Sequence, residues 1–564
     1  MSLRLYNTLT NREDAFEPLE AGVVRFYTCG PTVYDYAHIG NFRTFLASDV
    51  LRRWLESPLC ARVLPGGGAE ADPLAGLDET LRAVTEAGDV STVRASGEAA
   101  GGYRVAHVMN ITDVGHMTDD QADDSGEDRM EVARQRLTES KKAGTLPDDA
   151  PDDLDPANPH HIAAFYGDAF VRDAAALGIR LVREAMDEGR DALDAAMPRA
   201  TGSIDEILRL VLDLLERGYA YVVGDVCYFD TARFAEYGTL SGNTLDAIRS
   251  GAGGRVDERN QAAKRHPADF MLWKHDPRHL MKWDPAEVLA GEPALVKRAE
   301  AAGLREGYPG WHIECSAMAR TRLGDVIDIH SGGEDLIFPH HECEIAQSRG
   351  ASGEEAFARY WMHCRFLQVE GEKMSKSRGN FFTARQILGR GFTPGALRLA
   401  LVGSHYRQNA NFTASGLSAA EATASRWGDF IARGDEVDQA GSVSSRVVRE
   451  FVDSMNSDLN VAGAIGAINA WVNRTPSPTR SDAALMRVFD DVLGVVELVR
   501  EGEMSEADRE LADQVETLIR ARAEARKNRD FEAADRIRDE ATALGVELVD
   551  TPDGTTWKRK ARLG

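Results

Sequence analysis

The chain lacks any apolar run approaching the ~18 residues that a membrane-spanning helix requires. Its first residues, MSLRLYNTLTNRED, contain no apolar core of a secretory signal. Cysteine is scarce, with 6 residues in 564, which excludes a disulfide-stapled scaffold and fits a reducing compartment. We therefore expect a cytoplasmic protein without a membrane anchor, in which a cysteine is a metal ligand or a buried apolar residue.

The chain also has fewer basic than acidic residues. Lys and Arg total 66 against 91 Asp and Glu, which gives a formal net charge of −25. This acidity argues against nonspecific nucleic-acid binding by a basic surface, but it leaves room for a structured RNA held on local basic clusters. Such clusters occur near the C-terminus, at Arg520, Arg522, Arg526, Lys527 and Arg529 and again at Lys558, Arg559, Lys560 and Arg562.

The first third of the chain predicts a parallel sheet. Val23–Thr28 is a β-branched and aromatic run, apolar residues at helical spacing follow His38, and Tyr103–Met109 is a second strand. Strand, helix and strand in this order indicate a βαβ unit. Ser57–Gly102, which is rich in Gly, Pro and Ala, reads as an inserted excursion with one helix near Leu74–Ala87.

Beyond the first third, helical patterns alternate with an α/β pattern that returns from Gly307 through Ile327–Gly333 and Phe366–Val369. The acidic stretch Asn110–Pro156 predicts a solvated face or loop. Ile162–Arg217 has a helical pattern, and Tyr219–Phe229 is typical of a β-hairpin. Helical patterns dominate again after Pro394, and a short β-like piece, Val546–Trp557, comes near the end.

The segment His38-Ile-Gly-Asn41 follows a predicted strand at the start of a predicted helix. Residues three apart on a helical turn share a face, so His38 and Asn41 could meet a phosphate together with the helix N–H dipoles. Gly40 would allow close approach of the ligand. The alternative is a surface histidine beside a helix cap.

A second segment, Lys373-Met-Ser-Lys376-Ser377, places two lysines three residues apart in a Ser- and Gly-rich loop. This pattern suits a mobile clamp for polyphosphate, although many such loops are merely solvated. Its occurrence together with the first segment, one at each end of an α/β region, resembles the two signature sequences of class I aminoacyl-tRNA synthetases.

A third set of residues predicts a metal site. His340 and Glu344 are four apart, so on a helix their side chains would point the same way. With Cys29 and Cys315 they would offer zinc two sulfurs, one imidazole and one carboxylate. The alternative is core cysteines and helix-capping histidines. Further potential ligands nearby are His312, His341 and Cys343.

Longer stretches resemble one family, the cysteinyl-tRNA synthetases. The matching texts, in chain order, are YTCGPTVYDYAHIGN, NITD, GWHIECSAM, FPHHECEIAQS, WMH, EKMSKSRGNFFT, SHYR and ARKNRDFEAADRIRDEATALGVELVDTPDGTTW. The resemblance implies an α/β fold with a Rossmann-like parallel-sheet catalytic domain that is split by an inserted domain. An all-α bundle and a small C-terminal anticodon-binding domain would follow.

The resemblance also implies domain bounds and a monomer. The expected bounds are 1–130 for the first half of the catalytic domain (with the insertion at 57–102), 131–306 for the inserted connective domain, 307–365 for the second catalytic half, 366–393 for the KMSKS and stem-contact region, 394–505 for the helical bundle and 506–564 for the anticodon-binding domain.

The implied activity is ATP-dependent formation of cysteinyl adenylate from L-cysteine and transfer of the cysteinyl group to the terminal adenosine of tRNA(Cys). One zinc ion per chain would select the cysteine thiolate over serine. By resemblance its ligands are Cys29, Cys315, His340 and Glu344. The residues implied to contact the substrate cysteine are Thr112, Trp311 and Asp335.

The resemblance assigns the ATP site as well. His38, Gly40, Asn41 and Lys376 would bind ATP, which Mg²⁺ would accompany. Lys373 and Lys376 would stabilise the charge that develops on the pyrophosphate, and His38 and Asn41 would contact the phosphates during catalysis.

Two departures from the family pattern stand out. The first signature usually ends in His, where this chain has Asn41, which can donate a hydrogen bond but carries no charge. The text after NITD is Val114-Gly-His-Met117 instead of the usual Ile-Asp-Asp-Lys, so any role of that lysine is in doubt.

Two other functions stay open at this point. One is an enzyme of the same ancestry that activates cysteine and delivers it to a small amine; the helical C-terminal part argues against it. The other is a catalytically inactive paralogue that binds RNA. Its only support is Asn41, because the expected zinc ligands and both signature lysines are present.

Overall fold

The computed structural model describes residues 2–63, 76–87, 90, 102–115, 117–119, 125–244, 263–375, 378–438, 441, 443–500, 506–528, 530–544, 546–551 and 554–559. The strands within these ranges are β1 (Arg4–Asn7), β2 (Arg12–Ala15), β3 (Val23–Thr28), β4 (Arg104–Met109), β5 (Met117–Asp119), β6 (Ser125–Asp128), β7 (Ala220–Val223), β8 (Val226–Phe229), β9 (Phe270–Lys274), β10 (Tyr308–Pro309), β11 (Ile327–Gly333), β12 (Ala358–Cys364), β13 (Leu367–Val369), β14 (Glu372–Lys373), β15 (Ala410–Phe412), β16 (Val546–Thr551) and β17 (Gly554–Arg559).

The α-helices in the same ranges are α1 (Ile39–Glu56), α2 (Leu77–Ala87), α3 (Arg129–Ala143), α4 (Pro159–Ala176), α5 (Arg180–Glu188), α6 (Arg190–Ala196), α7 (Ile204–Glu216), α8 (Pro285–Val288), α9 (Pro293–Ala302), α10 (Trp311–Leu323), α11 (Glu342–Ser352), α12 (Ala384–Leu388), α13 (Pro394–Val402), α14 (Ala414–Asp435), α15 (Ser445–Asn456), α16 (Val461–Arg474), α17 (Arg480–Leu493), α18 (Val496–Arg500), α19 (Glu506–Lys527) and α20 (Phe531–Ala543).

A four-stranded parallel sheet in the order β12-β11-β3-β4 positions the site. β3 lies in its interior, where Thr28 faces Met109 of β4 on one side and Ser331 of β11 on the other. Buried parallel strands favour apolar and β-branched residues, which explains the VVRFYT run. The predicted parallel sheet is confirmed, with β3 at the predicted bounds and β4 beginning at Arg104.

The helix α1 follows β3 and joins the sheet to the C-terminal helices. Phe42, Leu46 and Leu51 are buried on it, as the helical spacing after His38 predicts. The buried Asp49 accepts a bond from Arg53 Nε at 2.8 Å and pairs with Arg398 of α13. α1 therefore packs on both the sheet and the helices that follow Pro394.

In chain order, a second sheet comes between β4 and β11 of the parallel sheet. It is antiparallel, with the strand order β10-β9-β8-β7. β7 and β8 form the predicted hairpin, with Tyr221 opposite Tyr228. The turn lies at Gly224, whose φ of 59° lies in the left-handed region that glycine adopts readily.

The acidic stretch Asn110–Pro156 differs from the predicted solvated loop. It contains the hairpin of β5 and β6 and the 15-residue helix α3, which buries Met130, Ala133 and Leu137. These three side chains recur at intervals of three and four, so they form one apolar stripe on a charged helix. The surrounding charge concealed this stripe at the level of composition.

The inserted segment also has defined structure. α2 confirms the predicted helix, although the structure describes it only from Leu77. Leu81 and Val84 are buried, and α2 packs against α17 of the C-terminal helices. The insertion is therefore attached to the helical part of the molecule.

The chain ends in a small unit of two helices and a hairpin. α19 packs on α20, and β16 pairs antiparallel with β17. Its own small core consists of Val515, Ala541, Val546 and Leu548. The predicted β-like piece is thus confirmed.

Candidate functional site

The carboxyl ends of the parallel strands bring together the residues singled out in the sequence. Cys29 follows β3, Asn110 follows β4 and Glu334 follows β11. This edge is where open parallel sheets bind ligands. Because the strands are parallel and in contact, residues far apart in the chain leave the sheet at one place.

Four side chains form a buried cluster at this edge. The Sγ of Cys29 lies 3.5 Å from the Sγ of Cys315 and 3.4 Å from Oε1 of Glu344. Nε2 of His340 lies 3.1 Å from the same carboxylate oxygen. All four potential ligand atoms lie within 4.8 Å of one another. Two sulfurs, one imidazole nitrogen and one carboxylate fit a zinc ion.

Four segments supply the four ligands. Cys29 extends from β3, Cys315 lies on α10, and Glu344 lies in the first turn of α11. His340 belongs to the helical turn Ile337–His341 that leads directly into α11. The side chains of His340 and Glu344 point the same way, as their spacing of four predicts.

Two further histidines contact residues of the cluster. Nε2 of His330 on β11 lies 2.9 Å from Oε2 of Glu344, and Nδ1 of His312 lies 2.9 Å from Nδ1 of His340. Such outer contacts fix the orientation of metal ligands. Cys29, His330, His341 and Glu344 form an overlapping second set within 4.8 Å.

The sequence analysis missed His330. An imidazole in the buried strand Ile327–Gly333 was the available signal for it. The Cys343 thiol lies 3.3 Å from the hydroxyl of Tyr237 and is not in the cluster. The remaining cysteines, Cys60, Cys227 and Cys364, are buried, as expected for packed thiols.

Charge stabilises the cluster. Burial raises the pKa of Cys29 well above its ordinary value, and the neighbouring thiol and carboxylate raise it further. Burial opposes charge on His340, but Glu344 and Cys315 outweigh it and raise the pKa of His340 to about 10. Burial likewise opposes charge on Glu344, but His330 and His340 lower its pKa to about 2. Without a metal, a protonated His340 therefore balances the Glu344 carboxylate.

The residues expected to contact cysteine lie around this cluster. The half-buried Trp311 ring lies 4.4 Å from the His340 ring. Thr112 is buried, and its Oγ1 accepts a bond from the Asn110 side chain at 3.1 Å. Asp335 is exposed in a short turn directly after β11. The structure therefore brings Trp311 against a cluster residue, and it has Thr112 and Asp335 at the same sheet edge.

The first signature segment forms the N-terminus of α1. His38 is the N-cap: its Nδ1 accepts from the Asn41 backbone N–H at 3.1 Å, and Asn41 Oδ1 accepts from the His38 N–H at 3.1 Å. His38 has extended backbone angles, so the expected shared helical face is replaced by this reciprocal cap.

The two signature segments touch. A Cβ built on Gly40 would lie 2.6 Å from Cε of Met374, so the methionine side chain lies directly against Gly40. The backbone N–H of Ile39 donates to the carbonyl of Phe382 at 2.9 Å. Lys373 is exposed in β14. Lys376 lies outside the described residues.

The C-terminal basic cluster is only partly available to RNA. Arg520, Arg526 and Lys527 are exposed on α19. Arg522 is 8% exposed, and its Nη1 donates to Thr555 Oγ1 at 3.4 Å. The expectation that Arg522 contacts phosphate is therefore wrong: it points into the unit and ties α19 to β17. The side chains of Arg529 and of 558–562 lie outside the described part.

Among the helices in the described ranges, none is both long and apolar enough to cross a bilayer. This agrees with the absence of a long apolar run in the sequence.

Comparison with known proteins identifies the family. The family model "tRNA synthetases class I (C) catalytic domain" matches residues 15–60 and 91–422, and "Cysteinyl-tRNA ligase anticodon binding domain" matches residues 508–557. α2 lies between the two stretches that the first model matches.

Full-length relatives give the same result. The cysteine–tRNA ligase of Salinibacter ruber is 37% identical over 100% of this chain and 99% of its own length. Those of Chlorobaculum tepidum (35% identical, 99% of each chain) and Symbiobacterium thermophilum (37% identical, 99% of this chain and 100% of its own) are similar throughout. The chain therefore belongs to the cysteine–tRNA ligase family of class I aminoacyl-tRNA synthetases.

Proposed function

We propose that Cys29, Cys315, His340 and Glu344 hold a zinc ion and that this ion selects cysteine for charging onto tRNA. The reaction, activation of cysteine with ATP followed by transfer to tRNA, is that of the family. The observation that carries the zinc proposal is the meeting of two thiols, an imidazole and a carboxylate in one buried cluster.

The choice between cysteine and serine explains why a metal is useful here. The two amino acids are nearly isosteric, and a pocket that reads shape alone separates such pairs by only about 1–3 kcal/mol. A zinc ion held by these four residues would favour a thiolate over a hydroxyl, because the serine hydroxyl stays protonated and is a poor ligand. Selection of this kind removes the need for an editing step.

The surrounding residues would orient the substrate. Trp311, whose ring lies 4.4 Å from the His340 ring, would cover one side of the cluster and keep water from the substrate thiol. Thr112 lines the opposite strand end, and the exposed Asp335 carboxylate would pair with the substrate ammonium group. With these contacts the substrate carboxylate is left to face ATP.

The N-terminus of α1 and the KMSKS segment would bind ATP, with Mg²⁺ on its phosphates. His38, Gly40 and Asn41 lie at the positive end of the helix dipole, where a phosphate is stabilised. Met374 packs on Gly40, which supports a role of Lys373 and Lys376 at the same phosphates.

The chemistry requires no protein nucleophile. The cysteine carboxylate attacks the α-phosphorus of ATP and pyrophosphate leaves, which gives cysteinyl adenylate. A ribose hydroxyl of the terminal tRNA adenosine then attacks the cysteinyl carbonyl carbon, and AMP leaves. Catalysis thus depends on positioning and on stabilising charge at the phosphates, which His38, Asn41, Lys373 and Lys376 would supply.

We assign tRNA(Cys) binding to the C-terminal unit and to the helices before it. Exposed Arg520, Arg526 and Lys527 on α19 supply positive charge in an otherwise acidic chain. The domain bounds proposed from the sequence, a monomeric state and a cytoplasmic location are parts of the same proposal. Light scattering after gel filtration tests the monomer.

The first experiment is ATP–pyrophosphate exchange with cysteine, with serine and without amino acid, before and after zinc chelation. We expect exchange with cysteine alone, lost on chelation and restored by zinc. Cys315→Ser should lose the metal and the exchange. Cys227→Ser, a buried cysteine on β8 outside the cluster, is the matched control and should retain both.

The same assay separates the competing functions. A chain that exchanges with cysteine but does not charge a tRNA(Cys) transcript would be an amine-directed ligase. A folded, zinc-containing chain without any exchange would be an inactive paralogue. Exchange that survives complete removal of the metal would contradict the zinc proposal.

A further inference from the structure

The regular parallel pairing of β3 and β4 ends at the site, although the two backbones stay close beyond it. They pair in parallel as far as Thr28 opposite Met109. Further along, a backbone bridge between Thr32 and Thr112 joins the segments that follow the two strands. Between these points the Cys29 N–H donates to the carbonyl of Ser331 on β11, at 3.0 Å. Cys29 therefore continues the parallel pairing of β3 with β11 where it enters the cluster.

The side chain of Asn110 links the two segments just beyond the last pair of the β3–β4 ladder. Its Oδ1 accepts the backbone N–H of Gly30 at 2.9 Å, and its Nδ2 donates to Oγ1 of Thr112 at 3.1 Å. Asn110 is 1% exposed, so both bonds are shielded from water. One amide thus holds the residue after Cys29 and the hydroxyl of Thr112 at a fixed separation.

Glycine at position 30 is part of the same arrangement. A Cβ built on Gly30 would lie 1.8 Å from the backbone oxygen of Asn110, a distance that no side chain tolerates. The two chains therefore approach as closely as backbone allows. The close approach and the hydrogen bond together fix Gly30, the neighbour of Cys29, against Asn110.

We propose that Asn110 is a positioning residue for cysteine selection: it sets the distance between the Cys29 side of the pocket and the Thr112 side. The inference rests on the proposed function, because it assumes that the substrate lies between the cluster and Thr112. Asn110 acts through these two neighbours and does not itself touch the reacting atoms.

Loss of the Asn110 side chain should change substrate binding and not only the stability of the fold. In Asn110→Ala the Gly30 N–H loses its acceptor and the Thr112 hydroxyl loses its donor. The side-chain link between the two walls of the pocket is lost, while the backbone bond from the Thr112 N–H to the Pro31 carbonyl remains. Losing buried hydrogen bonds of this kind should raise the KM for cysteine about tenfold. The KM for ATP should stay unchanged, because His38 and Asn41 cap α1 without Asn110.

A conservative variant separates the two bonds. Asn110→Asp keeps an acceptor for Gly30 but replaces the donor to Thr112, so the KM for cysteine should rise less than in Asn110→Ala. The matched control is Asn469→Ala. Asn469 Oδ1 accepts from Trp427 Nε1 at 3.0 Å and joins α14 to α16 in the helical part. It should lower the melting temperature and leave both KM values unchanged.

The measurement is ATP–pyrophosphate exchange at varied cysteine and at varied ATP, with zinc content and thermal melting recorded for each protein. A selective rise in the cysteine KM at unchanged zinc content and ATP KM supports the inference. A folded Asn110→Ala protein with the wild-type cysteine KM overturns it. If Asn110→Ala does not fold, a wild-type cysteine KM in Asn110→Asp overturns it instead. If the wild type shows no cysteine-dependent exchange, it is the proposed function that fails.

Discussion

His38 and Asn41 cap each other at the start of α1, each side chain accepting the backbone N–H of the other at 3.1 Å. The family usually has histidine at the second position. Asparagine there is compatible with the fold because its short amide oxygen reaches the His38 N–H and closes the reciprocal cap. The departure in sequence is thus a change that the local structure accommodates.

Asn41→Ala should break one half of this cap. We expect a loss of about 1 kcal/mol in the free energy of unfolding and a lower exchange rate, because an N–H donor near the phosphates is removed. Asn41→His restores a donor and should exchange at least as fast as the wild type. Urea unfolding and exchange kinetics check both, and an Asn41→Ala protein with wild-type exchange would exclude Asn41 from phosphate binding.

His330→Gln should weaken the metal site without removing a ligand. His330 bonds Oε2 of Glu344 at 2.9 Å and fixes the carboxylate that faces Cys29 and His340. Outer contacts of this kind are worth about 10–100-fold in metal affinity. Competition with a chromogenic chelator measures the change. An unaltered zinc affinity would show that Glu344 is oriented without His330.

Trp311→Ala should impair cysteine binding more than ATP binding. The ring lies 4.4 Å from His340, so its removal opens the cluster to water. We expect a rise of about tenfold in the cysteine KM, which is the effect of losing ~1.4 kcal/mol of binding. Trp311→Phe keeps an aromatic ring, so its cysteine KM should lie between that of the wild type and that of Trp311→Ala. Equal effects on the cysteine and ATP KM values would argue for general unfolding of the site.

Asp49→Asn should destabilise the fold strongly. Burial alone would raise the pKa of Asp49, but Arg53 and Arg398 outweigh it and hold the pKa well below its ordinary value. Removing the charge takes away the carboxylate that lies between two buried guanidinium groups, which costs about 3–5 kcal/mol. Glu497 still pairs with Arg53 in the variant. Asp435→Asn, at an exposed pair with Arg487, is the control and should cost less than about 1 kcal/mol.

The pH dependence of Asp49 has a definite sign. Its folded-state pKa is depressed, so its stabilisation is fully present above about pH 4 and is lost as the pH falls towards the folded-state value. The stability of Asp49→Asn should therefore fall less steeply in acid than that of the wild type. Parallel slopes for the two proteins between about pH 4 and pH 2 would contradict this role.

Val84→Asp should separate the insertion from the helical part. Val84 is fully buried where α2 packs on α17, and a carboxylate there has no partner. We expect a lower melting temperature and easier proteolysis of the insertion. Glu86→Gln, on an exposed part of α2, is the control. If Val84→Asp is as stable as the control, the contact of α2 with α17 does not contribute to stability.

Local sequence patterns predicted much of the secondary structure. Val23–Thr28 is a strand because β-branched and aromatic residues suit a sheet interior, and the helix after His38 follows from its apolar spacing. They failed at α3, where dense charge concealed the stripe of Met130, Ala133 and Leu137. They also failed at Arg522, because no local pattern shows that one arginine of a basic run points inward.

The sequence by itself determined the chemistry: which residues carry thiol, imidazole and carboxylate groups, and which motifs place the chain in its family. Only the tertiary structure decided which groups meet. Cys29 and Cys315 are 286 residues apart in the chain, and the packing of α10 against β3 brings their sulfurs to 3.5 Å from each other. The tertiary structure likewise decided two other contacts. His330 bonds Glu344, and Asn110 joins Gly30 to Thr112. Such contacts arise from the packing of separate strands and helices, which short-range periodicity does not encode.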